Sequence, residues 1–415
     1  MSFQKVVIIG AGHGGFQLAA SLRQKGYQGS IKLISDEPGL PYQRPPLSKA
    51  YMQGKLSDHA MLFRPASFYE TEKVELIHDS VTAIHRESKT LELRSGDLLN
   101  YDHLVFACGA RNRPLNIPGS DLQGIYGIKT RKDADLLAPM LGSIKKLAVI
   151  GAGFIGLEFA AVAASLGAEV HVIELGERPM QRAISAEMSE LFRCAHEQWG
   201  VTFHFNTGVS ALEGEAGQVS RILTSKGNAI DLDCVVYGIG VIPNMEVAAN
   251  SGLKVSNGII VDQYLLTSDP NISALGDVAN FPCQYFGGQT IRLESVQNAV
   301  DQARTIAARI LGDIAPYTAL PWFWTDQGNL KLQIAGLSIG CDETVTLGSA
   351  SENKISVLCF KQGTLICVES CNLAGDHMVA RKLLTRVSGL TPEIAKAEGF
   401  NLKKWELENR PSKES

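Results

Sequence analysis

The sequence predicts an α/β fold: two Rossmann-like units, one inserted within the other, followed by a C-terminal α+β domain. Three observations predict it. An apolar strand runs into a glycine turn at Val6-Val7-Ile8-Ile9-Gly10-Ala11-Gly12-His13-Gly14-Gly15. The pattern returns at Leu147-Ala148-Val149-Ile150-Gly151-Ala152-Gly153-Phe154-Ile155-Gly156. From residue 321 onward the helical patterning gives way to strand-like runs, among them Leu330–Ala335, Ile355–Phe360 and Leu365–Glu369, with a helix expected near His377–Arg386.

Both glycine runs satisfy G-x-G-x-x-G between a strand and a helix, the pattern of a dinucleotide-binding unit. The first glycine permits the turn, the second lets backbone approach a pyrophosphate, and the third lets helix pack on strand. The pyrophosphate then meets a helix N-terminus, where free N–H groups and the dipole favour an anion. In the first unit the helix is expected from Phe16 to Lys25, and the next strand, Ser30–Ile34, leads to Asp36 and Glu37. An acid about 20 positions past the glycines suits a ribose hydroxyl. Either residue serves, Asp36 being nearer the strand end. In the second unit the helix is expected over Leu157–Leu166 and the strand Glu169–Glu174 ends in an acid. A carboxylate at Glu174 repels a 2′-phosphate, which favours NADH over NADPH. Glu158 is expected in the first helical turn, as a simple N-terminal acid or as a partner of a nicotinamide amide.

Other segments take their place around these two units. Leu40-Pro41-Tyr42-Gln43-Arg44-Pro45-Pro46-Leu47-Ser48-Lys49 reads as an extended, proline-fixed loop from which Arg44 and Lys49 project. Tyr101–Ala110 closes the first unit and Asp233–Asn244, containing Gly240, closes the second. Thr267–Asp277 is a strand ending in Gly-Asp, whose carboxylate suits ribityl hydroxyls, and the helix that opens near Val296 follows it. The resulting division is 1–110 with 245–320 as one discontinuous flavin-binding domain, 111–244 as the inserted nicotinamide-nucleotide domain, and 321–415 as the C-terminal domain, with a polar tail from Arg410. Two nucleotide sites on one chain point to electron transfer between two cofactors.

The composition excludes other classes. A 415-residue chain with 45% hydrophobic and 20% charged residues is long enough for several cores. Its net charge of -4 gives no general attraction to nucleic acid or membrane. No apolar run is long enough to span a bilayer, and residues 1–5 lead straight into the first strand, so a cytoplasmic protein is expected. The eight cysteines form no C-x-x-C and show no zinc-site spacing, so no metal is expected. Cys367 and Cys371 lie far from Ser48, where a redox-active cysteine of a disulfide reductase would be expected.

These residues resemble the FAD-dependent, NADH-using ferredoxin reductases of bacterial monooxygenase and dioxygenase systems, of the putidaredoxin reductase type. The resemblance spans the chain. It rests on the two fingerprints, on Arg44-Pro45-Pro46-Leu47-Ser48-Lys49, on Gly276-Asp277 and on Pro321-Trp322-Phe323-Trp324-Thr325-Asp326-Gln327. It implies a glutathione-reductase-like arrangement and electron flow from NADH through FAD to a two-iron two-sulfur ferredoxin. It implies FAD on Gly10, the Gly12–Gly15 turn with Gly14, Asp36, Arg44, Lys49, Val81, Arg131, Asp277 and Val296. It implies NADH on Gly151, Gly153, Ile155, Gly156, Glu158, Glu174 and Gly240. Lys49, Glu158 and Trp324 take the catalytic roles, with Trp324 by the flavin and Trp322 nearer the surface where the ferredoxin docks. Arg304 and Arg309 share part of a helix face and can steer an acidic partner. Two alternatives remain: an NADH oxidase or peroxidase, and a redox-sensing flavoprotein that works as a binding switch.

Overall fold

Strands rich in Val, Ile and Leu with no alternation belong in a parallel sheet covered on both faces. The Lys5–Ile9 and Lys146–Ile150 strands are of this kind, and each lies at the centre of such a sheet. The structure is a computed structural model and describes residues 3–386 and 388–410. The polar tail beyond Arg410 lies outside the described residues. The chain forms two compact units: Met1–Arg44 with Leu56–Arg111 and Val241–Ala319, and Pro45–Lys55 with Asn112–Gly240 and Leu320–Ser415.

In the first unit five parallel strands run in the order Ile272–Ala274, His103–Phe106, Lys5–Ile9, Ser30–Ser35, Val74–His78. The first two strands of the chain lie side by side, and the later ones add to the outer edges. Order reverses at Lys5–Ile9, the switch point where open α/β sheets bind ligands. Helix His13–Gln24 buries Leu18, Ala19 and Leu22. It starts three residues before the expected Phe16, because Gly12 already serves as its N-cap. A three-stranded antiparallel meander begins at Val81–His85.

The second unit repeats the scheme: Val201–His204, Glu169–Ile173, Lys146–Ile150, Cys234–Tyr237, Ile125–Gly127, all parallel. Its helix Phe154–Ser165 is apolar on every side apart from Glu158 and is buried from Gly156 to Ala163, as a helix enclosed by neighbours must be. The same unit holds a five-stranded antiparallel sheet in the order Trp322–Gln327, Leu330–Gly336, Thr364–Cys371, Lys354–Lys361, Glu343–Ser349. The helix expected near His377–Arg386 spans Ala374–Leu383.

Two expectations need correction. The segment after Arg44 is not extended: Pro45–Ser48 is a 3-10 turn, since proline φ suits a first helical turn whose N–H groups need no partner. Nor does Pro45–Lys55 stay with the 1–110 body. It packs in the second unit, where Ser48 and Lys49 engage Glu158.

Three buried histidines make this fold sensitive to acid. Burial lowers His103 to about 3, with the Arg309 cation adding to the effect. Burial likewise lowers His196 and His377 to about 4. These groups stay neutral when folded but bind protons when unfolded below about pH 6.5. Their stabilisation is therefore complete above that pH and is lost as pH falls toward 4. For His196 alone the loss approaches about 3 kcal/mol. The urea midpoint should drop between pH 7 and about pH 5, and His196→Gln should flatten that slope.

Candidate functional site

Each glycine fingerprint builds the same cradle. In the first unit, Gly10 N–H donates to Ile34 and Ala107 N–H to Ile9. Gly10 has φ +106°, and a Cβ there would lie 2.4 Å from the Ala107 oxygen. A Cβ on Gly15 would lie 1.9 Å from the Gly10 oxygen. Gly14 is glycine for packing: a Cβ would meet Leu275 at 2.2 Å. Gly12 differs, since the space before it is open and bordered by Arg44 Nε at 4.0 Å. Gly12 caps its helix with no side-chain hydrogen bond, so the N-terminal amides face that space. A pyrophosphate fits a cradle of bare backbone flanked by a guanidinium.

The two acids left open by sequence take different places. Glu37 is held by Arg44 and by the Tyr42 hydroxyl. Asp36 is exposed, which leaves it the acid available to a ribose. Arg44 is thereby fixed beside the glycine turn, with its guanidinium over the Tyr42 ring at 5.3 Å. Asp277 sits in the 3-10 turn Gly276–Val278. Gln302 Oε1 accepts from Gly276 N–H at 2.7 Å, and Arg292 donates to the Asp277 carbonyl at 3.0 Å. Val296 is the first residue of helix Val296–Ile310, whose Ser295 cap accepts from Asn298 N–H. Val81 opens the antiparallel meander.

In the second unit Gly151 N–H donates to Ile173 and Gly238 N–H to Ile150, the same pair of bonds. A Cβ on Gly156 would lie 2.5 Å from the Gly151 oxygen. Gly153 caps its helix without a side chain. Ile155, 43% exposed, stands on the first turn. Glu174 ties the cradle to its strand: one oxygen accepts Ala152 N–H at 2.6 Å, the other Gly176 N–H at 2.7 Å. Each oxygen keeps a lone pair for a ribose hydroxyl. Gly240 has φ +95°, and its carbonyl accepts from Arg113 N–H.

Glu158 is a tightly held ionisable group of this unit. The helix begins at Phe154, so Glu158 lies past the first turn and is not an N-terminal acid. It is 7% exposed. The hydroxyls of Ser48 and Thr325 each donate to it at 2.6 Å, and Lys49 Nζ lies at 2.9 Å. Asp326 approaches the same ammonium at 3.6 Å. Sequence reasoning named Lys49 and Glu158 but missed Ser48 and Thr325 as their fixtures. It also missed Gln327, whose Nε2 donates to Thr325 and whose Oε1 accepts from His196 Nε2–H at 2.8 Å. Thr325 and Gln327 are fully buried at alternate positions of one strand, and two polar residues on a buried face was the available signal.

Trp322 and Trp324 share the other face of that strand, with ring centroids 5.6 Å apart. Both are half-buried, so Trp322 is not set apart as the surface residue. It packs on His377 and lies under the Arg381 guanidinium at 4.8 Å. Arg131 opens helix Arg131–Leu137 and pairs with Asp135 at 3.4 Å. Arg304 is exposed, with Asp301 at 3.4 Å. Arg309 is not a docking cation. Its guanidinium donates to Ser273 Oγ at 2.5 Å and reaches His103 at 3.3 Å, and burial lowers it to about 10. The five-residue spacing turned it inward. Among the described residues no helix is long and apolar enough to cross a membrane.

Comparison with known proteins agrees with this arrangement. Residues 4–303 match the family described as pyridine nucleotide-disulphide oxidoreductase, and residues 322–405 match the reductase C-terminal domain. The chain is similar to rhodocoxin reductase of Rhodococcus erythropolis, 46% identical over 399 residues, covering 96% of this chain and 93% of the other. It is 34% identical to a putidaredoxin reductase of Pseudomonas putida, covering 96% of each. The solved ferredoxin reductase for the CYP199A2 system of Rhodopseudomonas palustris superposes with a TM-score of 0.94 at 48% identity, covering 97% of this chain and 99% of that one. The covalent putidaredoxin reductase–putidaredoxin complex gives 0.94 at 34% identity, covering 97% and 98%.

Proposed function

The chain belongs to the pyridine nucleotide-disulphide oxidoreductase family, and from that premise we propose that it is an NADH-dependent ferredoxin reductase: electrons pass from NADH through FAD to a two-iron ferredoxin that serves a monooxygenase or dioxygenase. The observation that carries the reading is the duplicated glycine cradle, each copy with its own helix N-terminus and acid. Full-length relatives named as ferredoxin reductases support it. A cytoplasmic setting is part of the same proposal.

FAD held in the first cradle would supply the chemistry: a two-electron acceptor for the hydride of NADH and a one-electron donor to an iron–sulfur carrier. The protein's own residues bind and orient. Backbone at Gly12 to Gly15 holds one pyrophosphate, with Arg44 beside it and Asp36 for the ribose. Val81, Arg131, Asp277 and Val296 are assigned to the same cofactor. Gly153 to Gly156 hold the second pyrophosphate. Glu174 binds the NADH ribose with the lone pairs its backbone bonds leave open. Lys49, locked by Glu158 at 2.9 Å, is a cation of fixed position for the flavin. Trp324 is assigned to the flavin surroundings, and Trp322 with Arg304 to partner docking.

The preference for NADH tests the second cradle. Glu174→Ala removes hydrogen bonds to a charged acceptor, about 2 kcal/mol. Its kcat/KM with NADH should fall roughly 30-fold while the value with NADPH holds or rises. Steady-state rates with both nucleotides check this, and an unchanged ratio would remove Glu174 from the ribose site.

A further inference from the structure

Cysteines scattered along a sequence can meet when a hairpin folds. Cys359 and Cys367 stand directly opposite each other on the antiparallel strands Lys354–Lys361 and Thr364–Cys371. Glu369, two residues beyond Cys367, falls on the same face. The two sulfurs and a Glu369 oxygen all lie within 4.8 Å of one another, and all three residues are fully buried. No cationic side chain forms an ion pair with Glu369 among the described residues. Its oxygens are instead held by Ser185, through N–H at 2.9 and 3.1 Å and Oγ at 2.6 Å.

We propose that Cys359, Cys367 and Glu369 form a binding site for one thiophilic divalent cation of the zinc–cadmium kind. Two thiolates and a carboxylate are a donor set such ions accept. Donors bound at about 2.3 Å in a tetrahedron lie somewhat under 4 Å apart, so closure asks each group to move by only a fraction of an ångström. Binding exchanges protons for metal: two thiols lose their S–H protons to solvent as two metal–sulfur bonds form. Ser185 supplies the outer hydrogen bonds that orient a ligating carboxylate. It is also the N-cap of helix Ala186–Gln198, so the cation would fasten that helix start to the sheet. Cys341, half-buried, lies beside Cys359, with its thiol donating to the Glu343 carbonyl at 3.3 Å.

The test uses the full-length flavoprotein, reduced and freed of metal with a chelator, then dialysed against micromolar Zn²⁺ or Cd²⁺. Elemental analysis should find one tightly held ion per chain, and Cd²⁺ should add a thiolate-to-metal absorption band. Cys359→Ser and Cys367→Ser should each lower affinity at least about tenfold, whereas Cys194→Ser, beside Glu190 on a helix surface, should leave it unchanged. Serine in a packed sheet can weaken the fold, so the unaltered protein carries a second readout. Its unfolding temperature should rise with Zn²⁺ and return when chelator is added. Failure of the unaltered protein to retain an ion would overturn the proposal, as would an ion that survives the Cys359→Ser/Cys367→Ser double substitution.

Discussion

Gly15→Ala is expected to yield a protein that purifies without yellow colour. The added methyl would sit 1.9 Å from the Gly10 oxygen and 3.3 Å from Ile8 Cγ2. The first is turn backbone and the second a methyl of the fully buried, β-branched Ile8, so neither can swing aside as a flexible side chain would. The helix must lift from the strand, and the N-terminal amides leave the positions a pyrophosphate needs. Overpacking of this kind reaches about 3 kcal/mol, which converts to roughly a hundredfold loss of FAD affinity if it falls on the bound state. Gly156→Ala is the matched control, with its methyl 2.5 Å from the Gly151 oxygen. It should retain FAD but require far more NADH for reduction. Visible absorbance of the purified variants and an anaerobic NADH titration separate the two cradles. If both variants lost the same cofactor, the assignment of one cradle to each nucleotide would be wrong.

The second large effect concerns Lys49. Lys49→Met leaves the Glu158 carboxylate buried with two hydroxyl donors and no countercharge. Breaking a buried ion pair from one side costs about 3–5 kcal/mol, and the lower figure suits a lysine that is 20% exposed. NADH should also reduce the flavin at least tenfold more slowly. Stability and chemistry can be told apart. In Lys49→Met/Glu158→Gln the lone charge is gone, so stability should return. Reduction should stay slow, because the cation is still missing. Urea unfolding and stopped-flow bleaching of the flavin provide the two readings. A double variant that recovers both would make Lys49 a purely structural partner of Glu158.

Such effects rest on features that differ in how readily a sequence reveals them. The cradles were legible because a turn around a pyrophosphate demands glycine at fixed spacing, and backbone geometry admits no substitute. The closing strands were legible for a similar reason: parallel strands buried on both faces leave continuous apolar runs. Choices between neighbours were not legible. Asp36 and Glu37 differ only in that Glu37 is taken by Arg44 and Tyr42, a tertiary fact. Arg309 looked like a surface cation on helical spacing, yet its guanidinium turns in to Ser273 and His103. The Glu158 cluster draws on Ser48, Lys49 and Thr325 from distant parts of the chain. Cys367 was weighed against Cys371, its neighbour in sequence, whereas strand pairing sets it opposite Cys359.

The most direct test of the whole account is an anaerobic spectrum of the purified protein taken in three steps. A flavin band is expected at the start, bleaching on addition of NADH but far less with NADPH, and returning as an oxidised two-iron ferredoxin is added and itself becomes reduced. A protein that bleaches with NADH yet leaves every such ferredoxin oxidised, while consuming oxygen rapidly when air is admitted, would contradict it.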